Sequence, residues 1–270
     1  MRKLSIITVC LNSGEKLAQT VRTVLAQEYD DWELVIKDGG SADGSVEALR
    51  SLPEVKAALE AGRIRIVCEP DTGIYDGMNQ ATKLADGEYF YFLNCGDLLH
   101  SADALGQMME GIDANPGSLI HYGDVFDMLR GSVVSSNPRL DAFGCYRNVP
   151  CHQACIYHRS LFAQRGYRTE YRIRADYEHF LWSFFCAQAN PKYQPVVVSD
   201  YEGGGFSETE ENRRRSAREH QEIVAQYMTR AQILKYRAIL VLTLQPVRTF
   251  LAESKVFGKW YQKAKRVLYR

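Results

Sequence analysis

Four times in its first hundred residues the chain repeats one pattern: a short apolar, β-branched run that stops in a cluster of Asp, Asn, Gly and Ser. The runs are residues 4–9, 33–37, 64–68 and 89–93, and their length and composition predict strands. They end in Thr8-Val9-Cys10-Leu11-Asn12, Asp38-Gly39-Gly40-Ser41, Glu69-Pro70-Asp71-Thr72-Gly73 and Asn94-Cys95-Gly96-Asp97. Between them residues 13–27, with Leu17, Val21, Val24 and Leu25 at helical spacing, and residues 45–59 and 74–84 predict helices. Such alternation predicts an α/β fold, a mostly parallel sheet flanked by helices. Ligands of such sheets bind beyond the carboxyl ends of the strands, so the four clusters are expected to line one pocket. Each cluster alone is ordinary turn and cap chemistry, as Asp43-Gly44-Ser45 illustrates.

With 270 residues, 46% of them apolar, the chain can fill the core of one large domain. Its 33 basic and 33 acidic residues cancel, which argues against a nucleic-acid partner. The balance hides an asymmetry: residues 235–270 hold nine basic residues and one acid, leaving residues 1–234 at minus eight. The N-terminal apolar run is too short for a signal peptide and reads as the first strand, and no apolar run approaches the roughly 20 residues of a spanning helix. Seven scattered cysteines suit a reducing, cytoplasmic setting. Cys151, Cys155 and His152 lack a second ligand pair at zinc spacing.

The second half changes character. Residues 119–125 predict a strand, residues 151–165 a strand running into a helix, residues 175–187 a helix and residues 196–201 a last strand before Gly203-Gly204-Gly205-Phe206-Ser207. A charged helix over residues 208–228 and the basic tail complete the chain. The expected organisation is one domain over residues 1–230, made of two halves (1–100 and 101–230), and a tail over residues 231–270.

A carboxylate at a strand end can hydrogen-bond a base or ribose, or hold a divalent cation against phosphate oxygens. Asp38 and Asp97 are the candidates for these two tasks. The run Ser5-Ile6-Ile7-Thr8-Val9-Cys10-Leu11-Asn12, then Val35-Ile36-Lys37-Asp38-Gly39-Gly40-Ser41, then Glu69-Pro70-Asp71-Thr72-Gly73-Ile74-Tyr75-Asp76-Gly77-Met78-Asn79, resembles the opening of the family 2 glycosyltransferases of GT-A (Rossmann-like) fold. Gly87-Glu88-Tyr89-Phe90-Tyr91-Phe92-Leu93-Asn94-Cys95-Gly96-Asp97 is similar to the segment that carries that family's Asp-x-Asp element. The likeness is strong over residues 4–100 and is greatest to bacterial exopolysaccharide enzymes of the colanic-acid type. It implies an inverting transfer of sugar from a nucleoside diphosphate sugar, UDP-linked in our reading, to a hydroxyl of a glycan or lipid-linked acceptor.

Carried over residue by residue, the resemblance implies that Thr8 and Asn12 border the nucleotide, Asp38 meets the base, Asp71 and Asn79 lie near ribose or sugar, and Asn94 and Gly96 belong to the donor site. Asp97 would hold the divalent cation, Mn or Mg. The pattern departs from the family here, with an amide and a glycine where acids commonly stand. In Arg174-Ala175-Asp176-Tyr177-Glu178, Asp176 falls where the family has its general base, and Glu178 is the second candidate. Cys151-His152-Gln153-Ala154 resembles the subgroup's His-Gln segment, which places His152 and Gln153 toward donor sugar or acceptor.

A dehydrogenase is disfavoured because Cys10-Leu11-Asn12-Ser13-Gly14 stands where Gly-x-Gly-x-x-Gly is needed. A nucleotide-sugar-binding scaffold without catalysis remains the alternative. In the tail, Trp260, Tyr261 and regularly spaced Leu, Ile and Val interleave with cations, and Pro246 would split any helix. This composition suits the anionic inner face of a cytoplasmic membrane, with packing on the domain or against a second copy as the other readings.

Overall fold

The computed structural model describes residues 3–203 and 209–243. The chain divides into two compact units, Met1–His220 and Gln221–Arg270. The first unit begins with β1 (Leu4–Cys10), α1 (Glu15–Leu25), β2 (Trp32–Asp38), α2 (Ser45–Ser51), α3 (Pro53–Glu60), β3 (Ile64–Cys68), α4 (Ile74–Thr82) and β4 (Tyr89–Phe92). It continues through β5 (Leu98–Leu99), α5 (Ala104–Asp113), β6 (Ile120–Asp127), β7 (Ser132–Val134), α6 (Ala142–Arg147), a 3-10 turn (His152–Ala154), β8 (Cys155–His158), α7 (Arg159–Gln164), α8 (Ala175–Phe185) and β9 (Lys192–Tyr201). Helices α9 (Glu210–Tyr227) and α10 (Arg230–Leu242) follow.

One sheet runs in the order β3-β2-β1-β4-β8-β6-β9-β5, with β7 beside β6. The expected parallel order holds for β3, β2, β1 and β4. Beyond β4 the sheet is mixed, since β8 is antiparallel to both neighbours and β6 and β9 are parallel. β1 and β2 lie inside the sheet and are buried at every position, which is why each carries a buried apolar stretch on both faces, Ile6-Ile7 in β1 and Leu34-Val35-Ile36 in β2. Leu17, Val21 and Val24 of α1 pack into the same core as Leu4, Ile6 and Leu34. The helix expected over residues 45–59 is two helices. Pro53 cannot continue α2 and holds Leu52 extended at ψ 131°, then serves as the first residue of α3.

The strand ends come together as expected. Cys10, Asp38 and Cys68 stand in one register row, and the Leu93 and Cys95 N–H groups donate to the Ile7 and Val9 carbonyls. Cross-ties lock the first two ends: Asn12 N donates to Ser41 Oγ at 2.7 Å, Ala42 N to Asn12 Oδ1 at 2.9 Å and Gly14 N to Asp43 Oδ2 at 2.9 Å. In the second unit, α10 opens on a capping box between Thr229 and Gln232 and exposes Leu234, Val241 and Leu242. Most of the basic tail, including Pro246, Trp260 and Tyr261, lies outside the described residues.

Candidate active site

The turn Asn94–Asp97 leaves β4 and is held from α1. Thr20 Oγ1 donates to the Asp97 carbonyl at 2.9 Å and accepts from Gly96 N at 3.0 Å. Gly96 has φ 100°, a left-handed conformation that favours glycine, and a Cβ there would meet Glu202 Oε2 at 3.0 Å. The turn therefore presents the Asp97 side chain, buried at 6% exposure, to residues from the distant half of the chain.

Two consecutive residues of the 3-10 turn make the connection. Gln153 Nε2 donates to Asp97 Oδ2 at 3.0 Å, while His152 Nδ1 lies 3.4 Å from Asp176 Oδ2. On the other imidazole edge Asn94 Nδ2 approaches His152 Nε2 at 2.9 Å. Tyr75 Oη donates to Asp176 Oδ1 at 2.9 Å and also lies 2.9 Å from the Ile173 carbonyl. Asn94, Asp97, His152, Gln153 and Asp176 thus form one connected cluster drawn from the turn after β4, the 3-10 turn and α8.

The two aspartates are tuned in opposite directions. Burial pushes the Asp97 carboxyl above its ordinary range and outweighs the Gln153 hydrogen bond and the nearby His152. Burial acts the same way on Asp176, but the hydrogen bond with His152, the Tyr177 N–H and the Tyr75 hydroxyl together hold it below the ordinary value. Burial, followed by the Asp176 charge, pushes the Tyr75 hydroxyl well up, so it stays a donor. Asp176 is therefore an ionised carboxylate at neutral pH, with a quarter of its side chain exposed.

Other residues singled out from the sequence are placed differently. Thr8 does not reach the edge: its side chain is fully buried and its hydroxyl donates to the Leu93 carbonyl at 2.8 Å. Asn79 is a clamp, donating to the Tyr167 carbonyl at 2.8 Å and accepting from Tyr167 N at 2.7 Å, which uses both ends of its amide. Glu178 is fully buried, with both oxygens 3.0 Å from Arg165 Nη2. Asp38 sits at the edge, where its carboxylate closes its own turn by accepting from Gly40 N, Ser41 N and Ser41 Oγ. Asn12 is exposed at φ 49°, and Asp71 lies against Gly39, 3.6 Å from Lys37 Nζ.

Three neighbours of the site were not singled out as site residues. Lys37 is fully buried in β2 and ties the second and third strand ends, donating to the Asp38 carbonyl at 3.1 Å and the Glu69 carbonyl at 2.5 Å. A lysine inside an apolar strand was the available signal. Glu202 donates its N–H to Asp97 Oδ1 at 3.4 Å and pairs with Lys16 at 2.6 Å. Tyr75 lies inside the quoted motif without chemistry that local pattern reveals.

Among the described residues no three His, Cys, Asp or Glu side chains converge as a cation cage. The one carboxylate of the turn is Asp97, whose oxygens each accept one N–H. This donor set fits a cation shared with phosphate and water, the habit of magnesium, rather than a cation caged by protein.

A parallel half-sheet with Asp97 among the carboxylates at its edge, joined to a mixed half that brings Asp176, has the GT-A architecture. The chain belongs to glycosyl transferase family 2, whose sequence model matches residues 5–171. A PGL/p-HBAD biosynthesis glycosyltransferase of Mycobacterium bovis (strain BCG / Pasteur 1173P2) is 34% identical over 207 residues, 76% of this chain and 79% of that relative. Staphylococcus aureus TarS 1-349 in complex with UDP superposes with a TM-score of 0.67 at 15% identity, over 95% of this chain and 74% of that one. In a further TarS 1-349 crystal structure the overlap covers 60% of the TarS chain. The mannosyltransferase PcManGT from Pyrobaculum calidifontis, in complex with GDP-Man and Mn2+, superposes with a TM-score of 0.65 at 15% identity, over 99% of this chain and 85% of that one. At these identities the structural likeness is one of fold.

Proposed function

We propose that the protein is an inverting glycosyltransferase that moves a sugar from a nucleoside diphosphate sugar, UDP-linked, to a hydroxyl of a glycan or lipid-linked acceptor in bacterial glycan assembly. The observation that carries this reading is that adjacent residues, His152 and Gln153, touch Asp176 and Asp97, so a base and a phosphate-side carboxylate share one short site. The mycobacterial relative named for PGL/p-HBAD biosynthesis and the UDP complex of TarS support the substrate class.

The nucleoside enters at the edge formed by Asn12, Asp38 and Asp71. Asp97 would hold a divalent cation, Mn or Mg, whose positive charge supplies stabilisation for the departing diphosphate. Asp176 accepts the proton of the acceptor hydroxyl as that oxygen attacks the anomeric carbon from the face opposite the diphosphate. The new glycosidic bond forms as the bond to the diphosphate breaks, which inverts the configuration. Thr8, Asn79 and Glu178 act in folding.

The organisation into residues 1–230 and a tail over 231–270 is kept as part of this reading, with the tail at the inner face of the cytoplasmic membrane. The exposed Leu234, Val241 and Leu242 of α10 and the tail's surplus of cations support that placement. No helix among the described residues is long and apolar enough to span a membrane.

The test is a thermal-shift and calorimetric screen of UDP, GDP and their sugar conjugates with and without Mn2+. Cation-dependent binding of a nucleoside diphosphate is expected, and binding of none would sink the proposal.

A further inference from the structure

We propose that Asn94 sets the tautomer of His152, and that His152 in this tautomer positions the Asp176 carboxylate. The inference rests on the reading of Asp176 as the base.

His152 has two edges and two partners. Asn94 Nδ2 lies 2.9 Å from Nε2, and Asp176 Oδ2 lies 3.4 Å from Nδ1. An amide NH2 only donates, so Nε2 must offer its lone pair. A neutral imidazole carries one N–H, which is thereby placed on Nδ1 and aimed at the carboxylate. Asn94 has no other task for its side chain among the described residues: its Oδ1 is buried and unpartnered. Each oxygen of Asp176 then has one side-chain donor on it, Tyr75 on Oδ1 and His152 on Oδ2. With the Tyr177 N–H, these two side-chain donors from different elements fix the carboxylate plane and leave a lone pair for the incoming hydroxyl.

This gives the amide at position 94 a physical reason. A carboxylate in its place would only accept, and would draw the imidazole proton to Nε2. A neutral His152 would then turn a bare Nδ1 lone pair on Asp176, and the carboxylate would lose one of its two side-chain donors. The exchange of an acid for an amide at the strand end thus acts at the base, in addition to leaving Asp97 as the one carboxylate of the turn. His152 is a positioning residue in this scheme, where the sequence had placed it against sugar.

Long-range 1H–15N spectra of the full-length protein with 15N-labelled histidine read the tautomer directly, the His152 signals being assigned by their loss in His152→Asn. The expected result is an Nδ1–H imidazole in the wild type and a move of the proton to Nε2, or a doubly protonated ring, in Asn94→Asp. An Nε2–H wild-type ring overturns the proposal. In turnover, followed with the sugar nucleotide that binds in the screen, His152→Phe should lower kcat by about 10- to 100-fold while leaving the donor KM within twofold. His152→Asn keeps an N–H near the Nδ1 place and should recover part of that loss; equal losses in the two variants overturn the positioning role. Failure of the underlying reading looks different: wild-type turnover in Asp176→Asn removes the base assignment whichever tautomer is seen.

Discussion

Asp176 and Asp97 show how far chemistry is set by immediate neighbours. Both are largely withdrawn from water, yet Asp176 is held below the ordinary carboxylate range by His152, Tyr177 N–H and Tyr75, while burial prevails at Asp97. Asp176 is therefore charged throughout the neutral range, and the acid limb of a kcat/KM profile due to it should fall below pH 3.8. A limb near pH 6 would assign the base elsewhere. Asp176→Asn should cut transfer by about 100- to 10,000-fold, with nucleotide affinity by calorimetry unchanged. Asp97→Ala should instead abolish the Mn2+ dependence of nucleotide binding. Both acids could be picked out from the sequence, because each sits in a motif with a resemblance behind it. The groups that tune them could not, since Gln153 lies 56 residues from Asp97 and Tyr75 lies 101 from Asp176.

The loops between strands and helices use the same residue types for closure that a ligand site would use. Asp38 illustrates this: three hydrogen bonds from Gly40 and Ser41 overcome the effect of its burial and lower its carboxyl below 3.8. A carboxyl lowered by folding adds stability above its unfolded value and loses it as pH falls through the folded one. The Tm deficit of Asp38→Asn should thus be full at pH 7 and shrink as pH drops below 3.8. Asn79 makes the same point between α4 and the segment before α8. Asn79→Ala leaves the Tyr167 N–H and carbonyl without their partner and should cost about 1–3 kcal/mol in denaturant unfolding. Nucleotide affinity should be untouched, in contrast to the sugar contact that its motif had implied. Pro53 was the visible signal for the break between α2 and α3, overlooked because the apolar spacing runs straight across it.

The molecule joins a half of parallel strands to a half in which β8 runs against both neighbours. That junction carries the 3-10 turn into the edge where β1, β2, β3 and β4 end. Removing residues 244–270, with their seven basic residues and one acid, should release the protein from vesicles containing anionic lipid while leaving the nucleotide thermal shift intact. Unchanged sedimentation with the vesicles would assign the tail to another partner. The alternation of apolar runs with helical spacing determined the α/β class and the shared edge of the four strand ends, because burial on both faces of inner strands leaves a local mark at each position. The choice among polar residues at that edge belonged to the tertiary structure. Asn79 and Asp97 are alike in local pattern, and what separates them is which atoms from residues far along the chain arrive to meet them: Tyr167 closes on the Asn79 amide, while Gln153 and Glu202 meet Asp97.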